Sequence, residues 1–153
     1  MPAFCAIDFG TSNSAIALPT PDGVRLVELE PGQPTMPTAV FYAVEGLAAH
    51  EEPQRHYGRA AVAAYVEGIE GRLMRSMKSI LGSTLAQQST EVGAGRLVRY
   101  LDVVGGYLRH LKRVAEREAG HELRRLVLGR PVFFVDDDEP RDAQAQAALL
   151  QAA

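Results

Sequence analysis

Cysteine is almost missing from this chain. Cys5 is the only one, so no internal disulfide can form. It lies in an apolar stretch near the start, where a buried and inert thiol is expected. No large basic block is present and the net charge is −3, so nucleic-acid binding is not suggested. No apolar run approaches membrane-spanning length, and no charged-then-apolar leader precedes the first expected strand. Cytoplasmic residence without a membrane partner is therefore the expectation. The histidines at 50, 56, 110 and 121 lack metal-ligand spacing and read as ordinary surface or loop residues. What remains is the composition of a folded domain: 153 residues, 46% hydrophobic and 23% charged, long enough to bury a real core.

The most informative stretch runs from Phe4 to Leu18. Phe4 to Ile7 is rich enough in bulky residues for a buried strand, and Ser14 to Leu18 reads as a second strand. Between them Gly10, Thr11, Ser12 and Asn13 supply turn chemistry, so the pair reads as a hairpin. Two readings stand on the residues alone. In one, the hairpin is ordinary, with Asp8 ending a strand and Gly10 making the turn. In the other, the turn grips an anion. Glycine lets the backbone approach, successive N–H groups point at phosphate oxygens, and the Thr11 and Ser12 hydroxyls add donors. Asp8 then holds a magnesium ion through water, since magnesium keeps much of its hydration shell.

Further along, Pro21-Asp22-Gly23 marks a turn, and Val24, Leu26 and Leu29 fit a third antiparallel strand. A proline-marked segment leads into a strand at about residues 39–43. Residues 46–54 read as loop. A short Ala-rich helix opens at Tyr57-Gly58-Arg59-Ala60-Ala61 and reaches about Glu67. The interleaved basic and apolar residues of Arg72 to Gly82 suit a short amphipathic helix, and 83–95 a polar loop. Arg96 to Ala119 is the longest helical pattern, with a stripe of Leu97, Leu101, Val104, Leu108, Leu111 and Ala115. Gly105 and Gly106 weaken its middle and suit close packing or a bend. Gly120 is a fitting C′ residue. Leu123 to Phe134 returns to a strand, as a crossover to the first sheet would. The acidic run Asp136 to Glu139 and Pro140 suit the start of a last helix, Asp142 to Ala153. That helix carries no terminal cap, so a chain cut from a longer protein is expected.

The spacing D-x-G-T-x-N-S between two apolar strands, from Asp8 to Ser14, closely resembles the first phosphate loop of the actin-like ATPase superfamily. It is most similar to that of the DnaK-type heat-shock chaperones. Pro37 and Thr38 match a P-S/T-x-V-x-F segment of that family, Gly58 to Ala61 a G-x-A-A segment, and Lys78-Ser79-Ile80-Leu81-Gly82 a K-x-x-L/I-G segment. The variant Gly129-Arg130-Pro131, where most members read T-V-P, is similar to the divergent YegD-like branch.

The resemblance implies an α/β fold, namely the first lobe of an actin-like ATPase of ribonuclease H-like architecture. It implies a mixed sheet with helices and an inserted smaller α+β subdomain. Residues 1–35 and 121–153 would form part of the first subdomain and 36–120 the insertion. It further implies ATP/ADP and Mg2+ as cofactors, with Gly10, Thr11, Ser12 and Asn13 on the phosphates and Asp8 on hydrated magnesium. Lys78 would be the catalytic lysine at the terminal phosphate, a compact charge on a long stem. On spacing alone Lys78 also fits an ordinary surface lysine. Pro131 and Arg141 would relay nucleotide state, Arg141 if about two extra residues occupy the acidic loop. Implied partners are unfolded or partly folded polypeptides, a co-chaperone, and the remainder of the ATPase domain.

Two other readings stand below this one: a lobe of a small-metabolite kinase of the same superfamily, and a nucleotide-binding scaffold without turnover. The second phosphate loop, D-x-G-G-G-T, and the adenosine-binding segment are absent from the 153 residues. A nucleotide in this fold lies between two lobes, and this chain supplies one wall. The expected outcome of calorimetry on the chain alone is weak or no ATP binding and no hydrolysis; tight binding would overturn that expectation.

Overall fold

Alternation of apolar and small residues at the start of the chain builds a two-faced sheet. In a computed structural model, which describes residues 4–81, 83–129 and 147, the first strand β1 is Phe4–Phe9. Cys5, Ile7 and Phe9 face the core, and Phe4, Ala6 and Asp8 the other side. The second and third strands, β2 (Asn13–Thr20) and β3 (Gly23–Leu26), continue antiparallel through the expected turns. A short strand β4, Thr35–Pro37, pairs back on β2 beside the first turn.

The chain then leaves this sheet. Strand β5, Ala39–Ala43, forms at the expected residues and is the centre of a three-stranded antiparallel sheet. Strand β6, Gln54–Tyr57, is on one side and α1, Arg59–Val66, follows it. On the other side is β7, Gly71–Arg75, with Ala39 opposite Arg75 and Ala43 opposite Gly71.

This corrects the reading of Arg72 to Gly82 as one helix. Its first part is strand, because the free edge of β5 takes those backbone groups, and pairing outranks a weak helical pattern. Among the described residues of that stretch the helical part is Met77–Leu81, α2. Between the two, Ser76 adopts φ 53°, the left-handed region, and turns the chain.

Residues 83–95 are not a plain loop. They hold a 3-10 helix, Thr84–Gln87, and a strand β8, Ser89–Gly93. Strand β8 pairs with β9, Arg96–Arg99, across Ala94 and Gly95, both at positive φ, as a two-residue hairpin turn requires. The long helix α3 therefore begins at Tyr100, not Arg96, and runs to Ala119. Leu97 belongs to β9 and is 70% exposed, outside the helical stripe. Gly120 ends α3 in the left-handed conformation, its N–H on the Glu116 carbonyl at 2.8 Å.

After α3 the chain returns as β10, Arg125–Gly129, parallel to β1 with Leu126 opposite Cys5. This is the anticipated helix-then-strand crossover, and the first sheet runs β10-β1-β2-β3 with β4 also on β2. The architecture is thus mixed α/β. Arg130 to Phe134, the acidic run and, apart from Ala147, the last helix lie outside the described residues, as do Gly82, Pro131 and Arg141.

Helix α3 joins the parts. Its buried residues include Val103, Gly105, Gly106 and Tyr107 besides the expected stripe, because it is covered on more than one side. One core cluster includes Cys5 and Phe9 from β1, Val40 from β5, Met77 and Leu81 from α2, and Tyr107 from α3. Cys5 is buried, and burial pushes its thiol up. Among the described residues no helix is long and apolar enough to cross a membrane.

Two histidines are more than loop residues. His56 lies in β6, and His110 on α3 stacks on Tyr57 with ring centroids 4.2 Å apart. Burial first, then Arg117 and Arg113, hold the His110 imidazole below its ordinary 6.5, against a smaller upward pull from Glu30. The folded chain therefore takes up this proton less readily than the unfolded one. Stability is then lost as pH falls below 6.5 toward the depressed folded value. Urea unfolding from about pH 7.5 to about pH 5 should show this limb, and His110→Phe, which keeps a ring on Tyr57, should flatten it.

Candidate functional site

The turn after β1 is built by short side chains and by a threonine from elsewhere in the sequence. Gly10 is required there: a Cβ on it would lie 2.1 Å from the Asn13 carbonyl oxygen, which folds back over it. Thr11, Ser12 and Asn13 are exposed and Gly10 is half-buried. Asp8 is exposed on the outer face of the sheet. Its neighbours across the strands, Ala15 and Gly129, are both small.

Thr38 fixes the inner side of this turn. Its N–H donates to the Ser12 carbonyl at 2.9 Å and its hydroxyl to the Gly10 carbonyl at 2.9 Å. The Thr38 proton is thereby used, so Ser14 Oγ supplies the proton in the 2.8 Å contact between the two hydroxyls. Ser14 and Thr38 are each 2% exposed, which makes these bonds costly to lose. Beneath them, the Tyr107 hydroxyl donates to the Pro37 carbonyl at 3.0 Å and lies 3.3 Å from that of Met36. Burial pushes the Tyr107 phenol up to about 12, against the pull of the Ser14 and Thr38 hydroxyls, so it stays a donor near neutral pH.

The clasp has a consequence for the outer side. In a trans peptide the C=O of one residue and the N–H of the next point in opposite directions. With the Gly10 and Ser12 carbonyls turned toward Thr38, the Thr11 and Asn13 N–H groups are directed away from it. Two amides, the exposed hydroxyls of Thr11 and Ser12, and the Asp8 carboxylate thus share one end of the hairpin. Such a set can hold an oxyanion through N–H and O–H donors beside an acidic group suited to a hydrated cation.

Lys78 stands on a different element, half-buried in α2, which packs on the 3-10 helix and on α3. The strand register links it to the turn. Arg75, the last residue of β7, is opposite Ala39, and Ala39 directly follows Thr38. Paired strands place such Cα atoms about 5 Å apart, so α2 starts close to the clasp. The left-handed Ser76 is the bend from which α2 springs. The structure thus gathers Asp8 and Gly10–Asn13 on one hairpin and roots the Lys78 helix beside the residue that holds it. Pro131 and Arg141 lie outside the described residues.

No protein-family model matches this chain, and no curated protein matches it. Among the described residues, no three His, Cys, Asp or Glu side chains converge as a metal-binding group.

The sequence marks Thr38 and Ser14 only as members of motifs and gives Tyr107 no role. The signal available was a hydroxyl in or beside an apolar run: Ser14 before Ala15–Leu18, Thr38 before Ala39–Tyr42, and Tyr107 between Val104 and Leu108. Thr38→Val keeps the shape but removes the hydroxyl and strands Ser14 Oγ. It should cost about 1–3 kcal/mol in chemical denaturation, whereas Thr38→Ser should cost much less.

Proposed function

We propose that this chain is the N-terminal lobe of the ATPase domain of a DnaK-type, YegD-like molecular chaperone, within the actin-like ATPase superfamily. The observation that carries the proposal is the turn held from behind by Thr38, which directs the Thr11 and Asn13 amides outward beside Asp8. In this reading Gly10, Thr11, Ser12 and Asn13 grip the phosphates of ATP or ADP. Asp8 positions hydrated Mg2+. Lys78 brings an ammonium to the terminal phosphate, where charge gathers during transfer.

The mixed sheet supports the reading, since an antiparallel hairpin and a parallel crossover strand meet at β1. So does the division of strands, with the first sheet left after Pro37 and rejoined at Arg125. In this reading the segment between them, 36–120, is the inserted subdomain. The bound metal ion would neutralise phosphate charge, and hydrolysis would time lobe closure over polypeptide clients. Pro131 and Arg141 keep the relay role given by resemblance. The remainder of the ATPase domain supplies the opposite wall of the cleft, and the protein works in the cytoplasm.

The test is ATP turnover by the protein that contains this chain together with that second wall. Lys78→Ala should lower turnover by about 100-fold while leaving the circular dichroism spectrum unchanged. Unfolded peptide should stimulate the unsubstituted protein. Turnover unaffected by Lys78→Ala overturns the proposal. Stimulation by a small metabolite instead of peptide replaces it with the kinase reading, and absence of turnover with the scaffold reading.

A further inference from the structure

Strand β10 is an edge of the first sheet. Among the described residues it pairs with β1 on one side and with nothing on the other. Edge strands are usually blunted by charge, by proline or by a covering element. The middle of this edge is instead Leu126-Val127-Leu128. Leu126 is opposite Cys5 and lies on the core face, whereas Val127 is opposite Ala6 and lies on the outer face. They are 38% and 57% exposed. A body laid on one face of the sheet covers one of these two side chains. A strand added alongside covers both and also takes the unpaired backbone groups of the edge.

The order of residues along β10 fits a copy of itself. Residues directly opposite each other in an antiparallel pair share a face. A twofold axis through the sheet therefore sets against each other only residues of β10 that already share a face. Centred on Arg125, it opposes two arginines. Centred on Leu126, it sets Arg125 against Val127, and centred on Leu128 it sets Val127 against Gly129. Centred on Val127, it sets Val127 on its own copy, Leu126 on Leu128 and Arg125 on Gly129. That register matches apolar to apolar and opposes no like charges within the strand.

Charge supplies a second and independent match. Gly129 lies opposite Asp8 of β1, on the outer face. In the register centred on Val127 the partner's Arg125 falls in one row with Gly129 and Asp8. Its Cα is then two strand spacings, about 10 Å, from that of Asp8. Gly129 has no side chain to stand between them, and the long stem and fork of an arginine reach across to the carboxylate. Arg125 and Asp8 are both exposed, and among the described residues neither is in an ion pair. The axis makes the contact twice.

We propose that two copies of this chain join edge to edge through β10, antiparallel about Val127, with the partner's Arg125 on Asp8 in each direction. The two first sheets become one continuous sheet, and the contact closes on itself, as an isologous interface does. Asp8 is thereby withdrawn from the exposed groups at the first turn. The interface rests on strand register and charge, not on the assignment of the turn to ATP.

The experiment is sedimentation equilibrium of the full chain over a range of concentrations. A reversible dimer is expected, weakened by added salt. Val127→Lys, a charge on an exposed edge, should weaken it about tenfold or more with the circular dichroism spectrum unchanged. Arg125→Asp and Asp8→Arg should each weaken it by about tenfold, since each change occurs twice in the dimer. The two combined reverse the pair and should restore the dimer. Arg113→Gln, which removes an exposed charge on α3, should leave it unchanged. A monomer up to about 1 mM, or a dimer that survives Val127→Lys, overturns the interface. Assembly beyond the dimer overturns the closed contact. Failure of the combined Arg125→Asp and Asp8→Arg chain to recover the dimer overturns the register.

Discussion

Thr38 sits where the chain passes from one sheet to the next. Strand β4 ends at Pro37 and β5 begins at Ala39, so the residue between them belongs to neither. It uses its amide on Ser12 and its hydroxyl on Gly10, and it receives the Ser14 hydroxyl. All of this happens in a buried site, where a lost partner leaves a polar group without water. The shape of the first turn, the point of departure from the first sheet and the start of β5 are therefore one constraint. A buried hydroxyl network of this kind is costly when broken and fixes geometry when complete.

Helix α3 holds that constraint from the other side. Tyr107 reaches the Pro37 carbonyl next to the clasp, and its ring leans on Phe9 of β1 at 6.0 Å and on Tyr57 of β6 at 6.4 Å. One side chain thus touches the first sheet, the junction and the second sheet. The crossover that returns the chain to β10 beside β1 runs along the same helix. Packing of α3 and pairing of β10 consequently support each other, and both carry the hairpin that displays Asp8 and the turn.

The polar groups divide into two regions of different character. At the first turn the donors are backbone amides and small hydroxyls beside a carboxylate, with the Lys78 helix rooted nearby. Around the buried Gly106 the Arg55 and Arg109 guanidinium groups and the Tyr57 phenol pack at ordinary contact distance, with the Tyr57 ring held by its stack on His110. The first region is shaped by hydrogen bonds within the backbone. The second is shaped by which faces of β6 and α3 meet. They are joined through Tyr57 and Tyr107, whose rings link one to the support of the other.

Local sequence determined the elements whose signals are local. The β1–β2 hairpin, the 39–43 strand, the Ala-rich helix and the left-handed end of α3 at Gly120 follow from alternation, turn residues and a glycine stop. The turn residues Gly10 to Asn13 and Asp8 were likewise visible as candidate chemistry. Tertiary structure decided the rest. Residues 71–75 are a strand because an open edge of β5 was there to be paired, and 96–99 because β8 lay alongside. Tyr107 reaches the Met36 and Pro37 carbonyls beside Thr38 across 71 and 70 residues of sequence, and Thr38 meets Ser14 across 24. Arg55 and Arg109 approach only because two elements pack over a glycine. Periodicity and propensity report what a segment can do with its own neighbours in sequence. Which buried hydroxyl finds a partner, and which charges are left without one, depends on contacts that exist only after the chain has folded.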